Sequence, residues 1–267
     1  MKLKTTLIFS LSLLTTPAAW TADPQPVNGA ASASPSRTEL LNPAPNPTWS
    51  RFSVQGYDTL EIAPGLYTFR YTGTRNIFMV TKDGVIATDP ISPEAARVMR
   101  DEIRKVTDQP VRYVVYSHNH WDHIPGGQIF RDEGAKFIAQ ENCVAHFRSK
   151  PHPDIVMPDI TFTDRYTVEL GGRTLDLIYL GANHGDCLTF MRPDAENGKY
   201  LFAVDIATPG GTPLNFMAGY SPDQWLRTLK ELEAMDFSIT IPGHGVPMAD
   251  KSSLVERRIR AFYSIGE

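Results

Sequence analysis

A chain of 267 residues, 42% apolar and 10% aromatic, can bury a sizeable core and has room for one large domain or two small ones. Its formal charge of −4 offers no general attraction to nucleic acid or anionic lipid, so neither is an expected partner. No apolar run after the N-terminus approaches the ~18 residues that a membrane-spanning helix needs.

Residues 1–22 read as an export signal. Met1 to Lys4 carries two lysines, Leu7 to Leu14 is a short apolar run, and small residues follow at Ala18, Ala19 and Ala22. Export would place the mature protein in the periplasm or outside the cell, with no stable membrane insertion once the signal is cleaved. Residues 23–50 are rich in Pro, Ala, Ser and Asn and lack apolar periodicity. Such a segment buries too little surface to offset its ordering entropy, and it reads as a disordered lead-in. Residues 51–267 read as a single domain.

Within that domain the rhythm is α/β. Leu66 to Tyr71, Asn76 to Thr81 and Val85 to Pro90 are β-branched and aromatic runs that predict a three-stranded meander. Ser92-Pro93 caps a helix that presents Met99, Ile103 and Val106 on one face, assigned to the core. Val111 to Ser117 is nearly all apolar, as in a strand covered on both sides. A short helix over Gln128 to Arg131 and a strand over Ala135 to Ala139 follow, then a Pro-rich loop from Lys150 to Asp159. Thr174 to Gly181, Leu188 to Pro193 and Tyr200 to Asp205 predict three more strands. Ser221 to Gln224 has the form of a capping box, and its helix carries Trp225, Leu229 and Leu232 as a core stripe. A strand ends before His244, and a last helix carries Val255, Ile259 and Phe262.

The chain has seven histidines, and three of them, with an aspartate, fall within the six residues from His118 to His123. His118, His184, Asp205 and His244 each follow a different predicted strand, at the edge where loops of layered α/β folds build ligand sites. Grouped without a metal, these side chains would suffer repulsion and desolvation. Imidazole and carboxylate suit Zn²⁺, Fe and Mn²⁺. On an extended segment His118 and His120 point the same way and can clamp one ion that His184 completes. Asp122 and His123 turn the other way and can serve a second ion with His244, and Asp205 can bridge the two.

The series His118-Asn119-His120-Trp121-Asp122-His123, His184, Asp205 and Gly243-His244-Gly245 resembles the metallo-β-lactamase superfamily, over about residues 58 to 248. The resemblance implies an αββα sandwich: two mixed β-sheets packed face to face, with helices on the outer faces. It also implies two divalent metal ions, zinc before Fe or Mn, on His118, His120 and His184 and on Asp122, His123 and His244, with Asp205 shared. A hydroxide between the metals would then attack a carbonyl or phosphoryl centre, and Asp122 would be both ligand and proton acceptor.

β-Lactamases of this superfamily usually place a cysteine or serine where Asp205 stands. The chain therefore looks closer to bridging-aspartate hydrolases of lactones, thioesters and phosphodiesters. A small ester or lactone is the first expected substrate, and a β-lactam is the alternative. The chain ends soon after His244, so the helical substrate domain of glyoxalase II-like members is not expected. Nor is the nuclease branch, for want of a basic face.

Two other classes compete with a hydrolase: a mononuclear iron sulfur dioxygenase, which would share His118, His120, His184 and Asp205, and a non-catalytic metal or ligand carrier in the envelope. Met157 in the Pro-rich loop, and Phe216 and Met217 after Asp205, are candidate substrate contacts. Cys143 and Cys187 are too few for a disulfide scaffold but leave room for one bridge in an oxidising compartment. Cys187 is also within sequence reach of a metal. Asp186 is a candidate partner for His184, and His152 a candidate for the pocket edge.

Overall fold

The computed structural model describes residues 56–195, 199–206, 222–245, 248–252 and 255. The expected leader over 1–22 and lead-in over 23–50 lie outside the described residues, as do the Ser221 cap, Phe216, Met217, Ile259 and Phe262.

The first sheet follows chain order: β1 (Tyr57–Ala63), β2 (Leu66–Tyr71), β3 (Thr74–Thr81), β4 (Gly84–Thr88), β5 (Val111–Val115), β6 (Lys136–Gln140) and β7 (Ile160–Phe162). β1 to β4 form an antiparallel meander, one strand longer than expected. β4 to β7 are parallel neighbours. Parallel strands cannot be joined by a tight turn, so a helix spans each gap. These are α1 (Pro93–Val106), α2 (Gln128–Asp132) and α3 (Glu141–Ser149).

The second sheet places β8 (Arg165–Leu170), β9 (Arg173–Tyr179), β10 (Thr189–Pro193), β11 (Tyr200–Phe202), β12 (Ile239–Ile241) and β13 (Ala249–Asp250) side by side. Here β11 and β12 are the parallel pair, and α4 (Pro222–Ala234) joins them.

Strand periodicity sorts the side chains into three apolar layers. Along β3, Ile77 and Met79 enter the layer between the sheets, where they join Leu175, Leu177 and Met191. Phe78 faces the other way, into the layer with Met99, Ile103, Phe130 and Phe147 of α1 to α3. On the second sheet Ile178, Phe190 and Leu201 face outward and are covered by Trp225, Leu229 and Leu232 of α4. Burying one such leucine is worth about 1.5–3 kcal/mol. The result is the expected αββα sandwich.

Ser92 caps α1 by accepting the Ala95 N–H, with Pro93 opening the first turn. Val106 corrects the expected core stripe: it is 42% exposed, whereas Met99 and Ile103 are buried. It is the last residue of α1, and Thr107 already turns the chain away. Sequence periodicity also missed β1, β7, β8 and α3. Their residues alternate weakly, as on a partly exposed sheet margin and a short polar helix.

Candidate metal centre

One edge of the sandwich collects the ends of strands from both sheets. Asp89 follows β4, His118 follows β5, His184 follows β9, Asp205 follows β11 and His244 follows β12. Backbone contacts stitch the sheets together there: Thr74 bridges His244, and the Arg75 N–H donates to the Gly243 carbonyl at 2.7 Å. Glycine at 243 lets the turn pack close, because a Cβ there would come within 2.8 Å of Val204 Cγ1 and 3.1 Å of the His123 ring and push one of them aside.

The side chains form two groups that meet at Asp205. His118, His120, His184 and Asp205 are one group; Asp122, His123, His244 and Asp205 are the other. In each, the four ligand atoms lie within 4.8 Å of one another. Asp205 Oδ2 is 3.6 Å from His118 Nε2 and 3.4 Å from His184 Nε2, and Asp205 Oδ1 is 3.2 Å from His244 Nε2. His123 Nε2 lies 3.2 Å from His244 Nε2, and Asp122 Oδ2 lies 3.3 Å from the same atom. All are buried except His120, half-buried, and Asp122, whose side chain is 47% exposed.

Neighbouring groups fix the rings. The Gly73 carbonyl accepts from His244 Nδ1 at 2.8 Å, which leaves Nε2 facing the centre. Ser117 Oγ meets His118 Nδ1 at 2.9 Å, and Trp225 packs edge-on against His184. Asp89 is a site residue that sequence reasoning passed over. Its Oδ1 accepts the Ser117 N–H at 2.8 Å, and its Oδ2 faces His123 Nδ1 at 3.6 Å. The signal was present, because Val85 to Asp89 ends on an aspartate just as Tyr200 to Asp205 does. Arg75, also unforeseen, is fully buried and donates to the carbonyls of Gly245 at 3.0 Å and Pro242 at 3.4 Å, which clamps the His244 turn. Burial lowers its pKa to about 10, partly countered by Asp58.

The charges sort by position. Burial and the neighbouring imidazoles hold His118 well below its ordinary value, and burial takes His120 down to about 4. Burial alone would also lower His123 and His244, but the facing carboxylates together raise both: Asp205, Asp89 and Asp122 at His123, and Asp205 with Asp122 at His244. Burial would raise Asp205 and Asp122, but the facing histidines hold both carboxylates below their usual range.

The geometry fits a divalent cation. His118 Nε2, His184 Nδ1, His123 Nδ1 and Asp205 Oδ1 are buried without a hydrogen-bond partner. Each such atom costs about 1–3 kcal/mol when left alone. His118 Nε2 and Asp205 Oδ1 themselves face the shared centre, His184 and His123 turn their Nε2 atoms toward it, and imidazole with carboxylate is a donor set for Zn²⁺, Fe or Mn²⁺.

Two other candidates, Cys187 and Asp186, are engaged elsewhere. Cys187 is bonded to Cys143, with a Cα–Cα distance of 5.4 Å, so it offers no thiolate to a metal. Asp186 reaches His146 at 2.6 Å instead of His184. His152 packs against Trp121, and Met157 is 42% exposed.

The family model of the metallo-beta-lactamase superfamily matches residues 70–244. The chain is 28% identical over 165 residues to the 2,4-dinitroanisole O-demethylase subunit alpha of Nocardioides sp. (strain JS1661), covering 60% of this chain and 49% of that one. It is 24% identical over 186 residues to metallo-beta-lactamase IND-1 of Chryseobacterium indologenes, covering 67% and 75%. The chain thus spans about half the length of the first relative. Among solved structures, a metallo-beta-lactamase from Pontibacter korlensis superimposes with a TM-score of 0.68 at 20% identity, over 78% of this chain and 99% of that one.

Proposed function

Since the chain belongs to the metallo-beta-lactamase superfamily, we propose that it is an exported hydrolase holding two divalent ions, zinc before iron or manganese. Its substrate is a small ester or lactone, or a related carbonyl or phosphoryl compound. The observation that carries this reading is the pair of four-residue groups sharing Asp205. His118, His120 and His184 would hold one ion, and Asp122, His123 and His244 the other. When bound, such ions polarise a carbonyl or phosphoryl oxygen and acidify a water to near neutrality.

The chain's own residues supply the rest. Asp205, 3% exposed, lies between the two groups, with Oδ2 toward His118 and His184 and Oδ1 toward His244. Asp122 alone in its group presents a carboxylate to solvent, which suits Oδ2 to accept a proton and pass it outward. Gly73, Ser117 and Asp89 orient the rings. Met157, with Phe216 and Met217 outside the described residues, would line the substrate side. The Cys143–Cys187 bridge supports export, since disulfides persist in oxidising compartments. Residues 1–22 would be the leader, 23–50 the lead-in and 51–267 the catalytic domain.

The test is proton release by the purified protein against lactones, a thioester, a phosphodiester and β-lactams, each with and without chelator. Chelator-sensitive turnover of one class supports the reading. Silence across the panel with metal bound sinks it, and oxygen uptake with a sulfur substrate would replace it by an iron dioxygenase. A β-lactam is the second substrate reading, favoured by the likeness to metallo-beta-lactamase IND-1.

A further inference from the structure

Trp121 lies between His120 and Asp122 in sequence, yet it belongs neither to the metal groups nor to the core. It is 48% exposed, while Trp225, of the same type, is 1% exposed beneath α4. Among the described residues only Val106 and Met157 are large apolar side chains of comparable exposure. Val106 ends α1, whereas Met157 stands in the same Pro-rich loop as His152. An exposed aromatic side chain flanked in sequence by residues of a polar site suits contact with a ligand.

The indole has a built support. The His152 ring packs against it at 88°, with centroids 4.5 Å apart. His152 is itself held, because its Nδ1 accepts the Asp154 N–H at 3.2 Å. The Asp154 carbonyl accepts from the Gly126 N–H at 2.7 Å, on the same turn that carries the histidines. Tyr116 donates to the Val156 carbonyl at 3.0 Å and Arg131 to the Met157 carbonyl at 2.9 Å. A fixed, half-exposed indole is a stacking platform, and order on both sides of the Trp121–His152 contact lowers the entropy lost when a ring lands on it.

We propose that Trp121, backed by His152, is the specificity-determining rim of the site and binds an aromatic ring of the substrate, so that aryl-bearing esters or lactones are preferred to saturated ones. The substrate class rests on the hydrolase reading; ring recognition does not. A flat ring meets the indole through its quadrupole, which a saturated ring of the same size cannot do.

The experiment compares binding of benzamide and cyclohexanecarboxamide to the metal-loaded full chain by calorimetry, in wild type, Trp121→Ala and Trp121→Phe. Benzamide should bind the wild type about three- to tenfold more tightly than its saturated twin. Trp121→Ala should abolish that preference and Trp121→Phe should retain most of it. In turnover, the phenyl acetate to cyclohexyl acetate ratio of kcat/KM should fall by the same factor in Trp121→Ala, through KM. Equal affinities in wild type, no saturable benzamide binding, or a preference that survives Trp121→Ala would overturn the rim. Tighter binding of tetramethylammonium than of benzamide would also overturn it, in favour of a cation site. A benzamide preference in a protein that hydrolyses nothing would sink the hydrolase reading and leave the rim standing.

Discussion

The two halves of the candidate metal centre are fastened by different means. In the first group, the loop bearing His184 is tied down covalently, because Cys187, three residues on, is bonded to Cys143 of α3. Its rings otherwise rest on neutral neighbours, the Ser117 hydroxyl and the Trp225 indole. In the second group no covalent link holds the His244 turn among the described residues. A buried guanidinium and backbone carbonyls hold it, and a buried carboxylate backs His123. The first half thus depends on redox state and packing, and the second on hydrogen bonds and charge. Variants should separate them.

Asp205→Ala is the change that should erase the distinction. Because Asp205 belongs to both groups, its loss should empty both sites and bring any hydrolysis to background, read by metal content and by turnover together. A variant that keeps one ion and full activity would show that the two groups do not act through a shared carboxylate.

The next effect should fall on the first half only. Replacing Cys143 and Cys187 together by serine opens a loop with a sequence separation of 44. The loop-entropy relation puts the cost at about 3–4 kcal/mol. The expected outcome is a thermal midpoint lower by roughly 6–16 °C and weaker binding of an ion on His118, His120 and His184, with an ion on the other group retained. Equal weakening of both ions would mean that the disulfide braces the whole edge and not the His184 loop.

Asp89→Asn addresses the second half. The substitution keeps the oxygen that can accept the Ser117 N–H but removes the charge that faces His123. Loss of such a supporting carboxylate typically costs about 10–100-fold in metal affinity. Titration of metal into the variant should weaken the ion on Asp122, His123 and His244 by that factor and leave the first near its wild-type affinity. An unchanged second affinity would assign Asp89 to the backbone alone.

Asp89 also illustrates what the sequence made legible. The residues of the two groups were legible because a site that could hold metal concentrates rare residue types at strand ends, and the three histidines within His118–His123 cannot be hidden by packing. The sandwich followed from a long-range motif more than from periodicity, since Tyr57–Ala63 and Arg165–Leu170 alternate too weakly to stand out as strands. The supports of the rings were not legible. Arg75 is distant from His244 in sequence, and only the crossing of the two sheets makes it the clamp of that turn. Val106 shows the converse error: helical spacing put it on the core face, but the helix ends there and exposes it.

The smallest expected effect lies at the rim, where neither a disulfide nor a buried charge does the fastening. Asp159 closes the Pro-rich loop by accepting from Arg131 at 2.7 Å and from the Phe137 N–H at 2.7 Å. Burial alone would raise its carboxyl, but these bonds and the Arg131 charge hold it below the usual carboxylate value. A group whose pKa is lower folded than unfolded stabilises the fold above the unfolded pKa, and that contribution is lost as pH falls through the folded one. The wild type should therefore lose this increment on acidification, whereas Asp159→Asn should lack it at neutral pH and show a flatter stability curve. The side chains are about one-third exposed, so solvent screening limits the difference to roughly 0.2–1 kcal/mol at pH 7. Urea unfolding of both proteins at neutral and acidic pH measures it. Parallel curves would mean that the Phe137 and Arg131 bonds are replaced by water at no cost, and that the loop is held by Tyr116 and Gly126 instead.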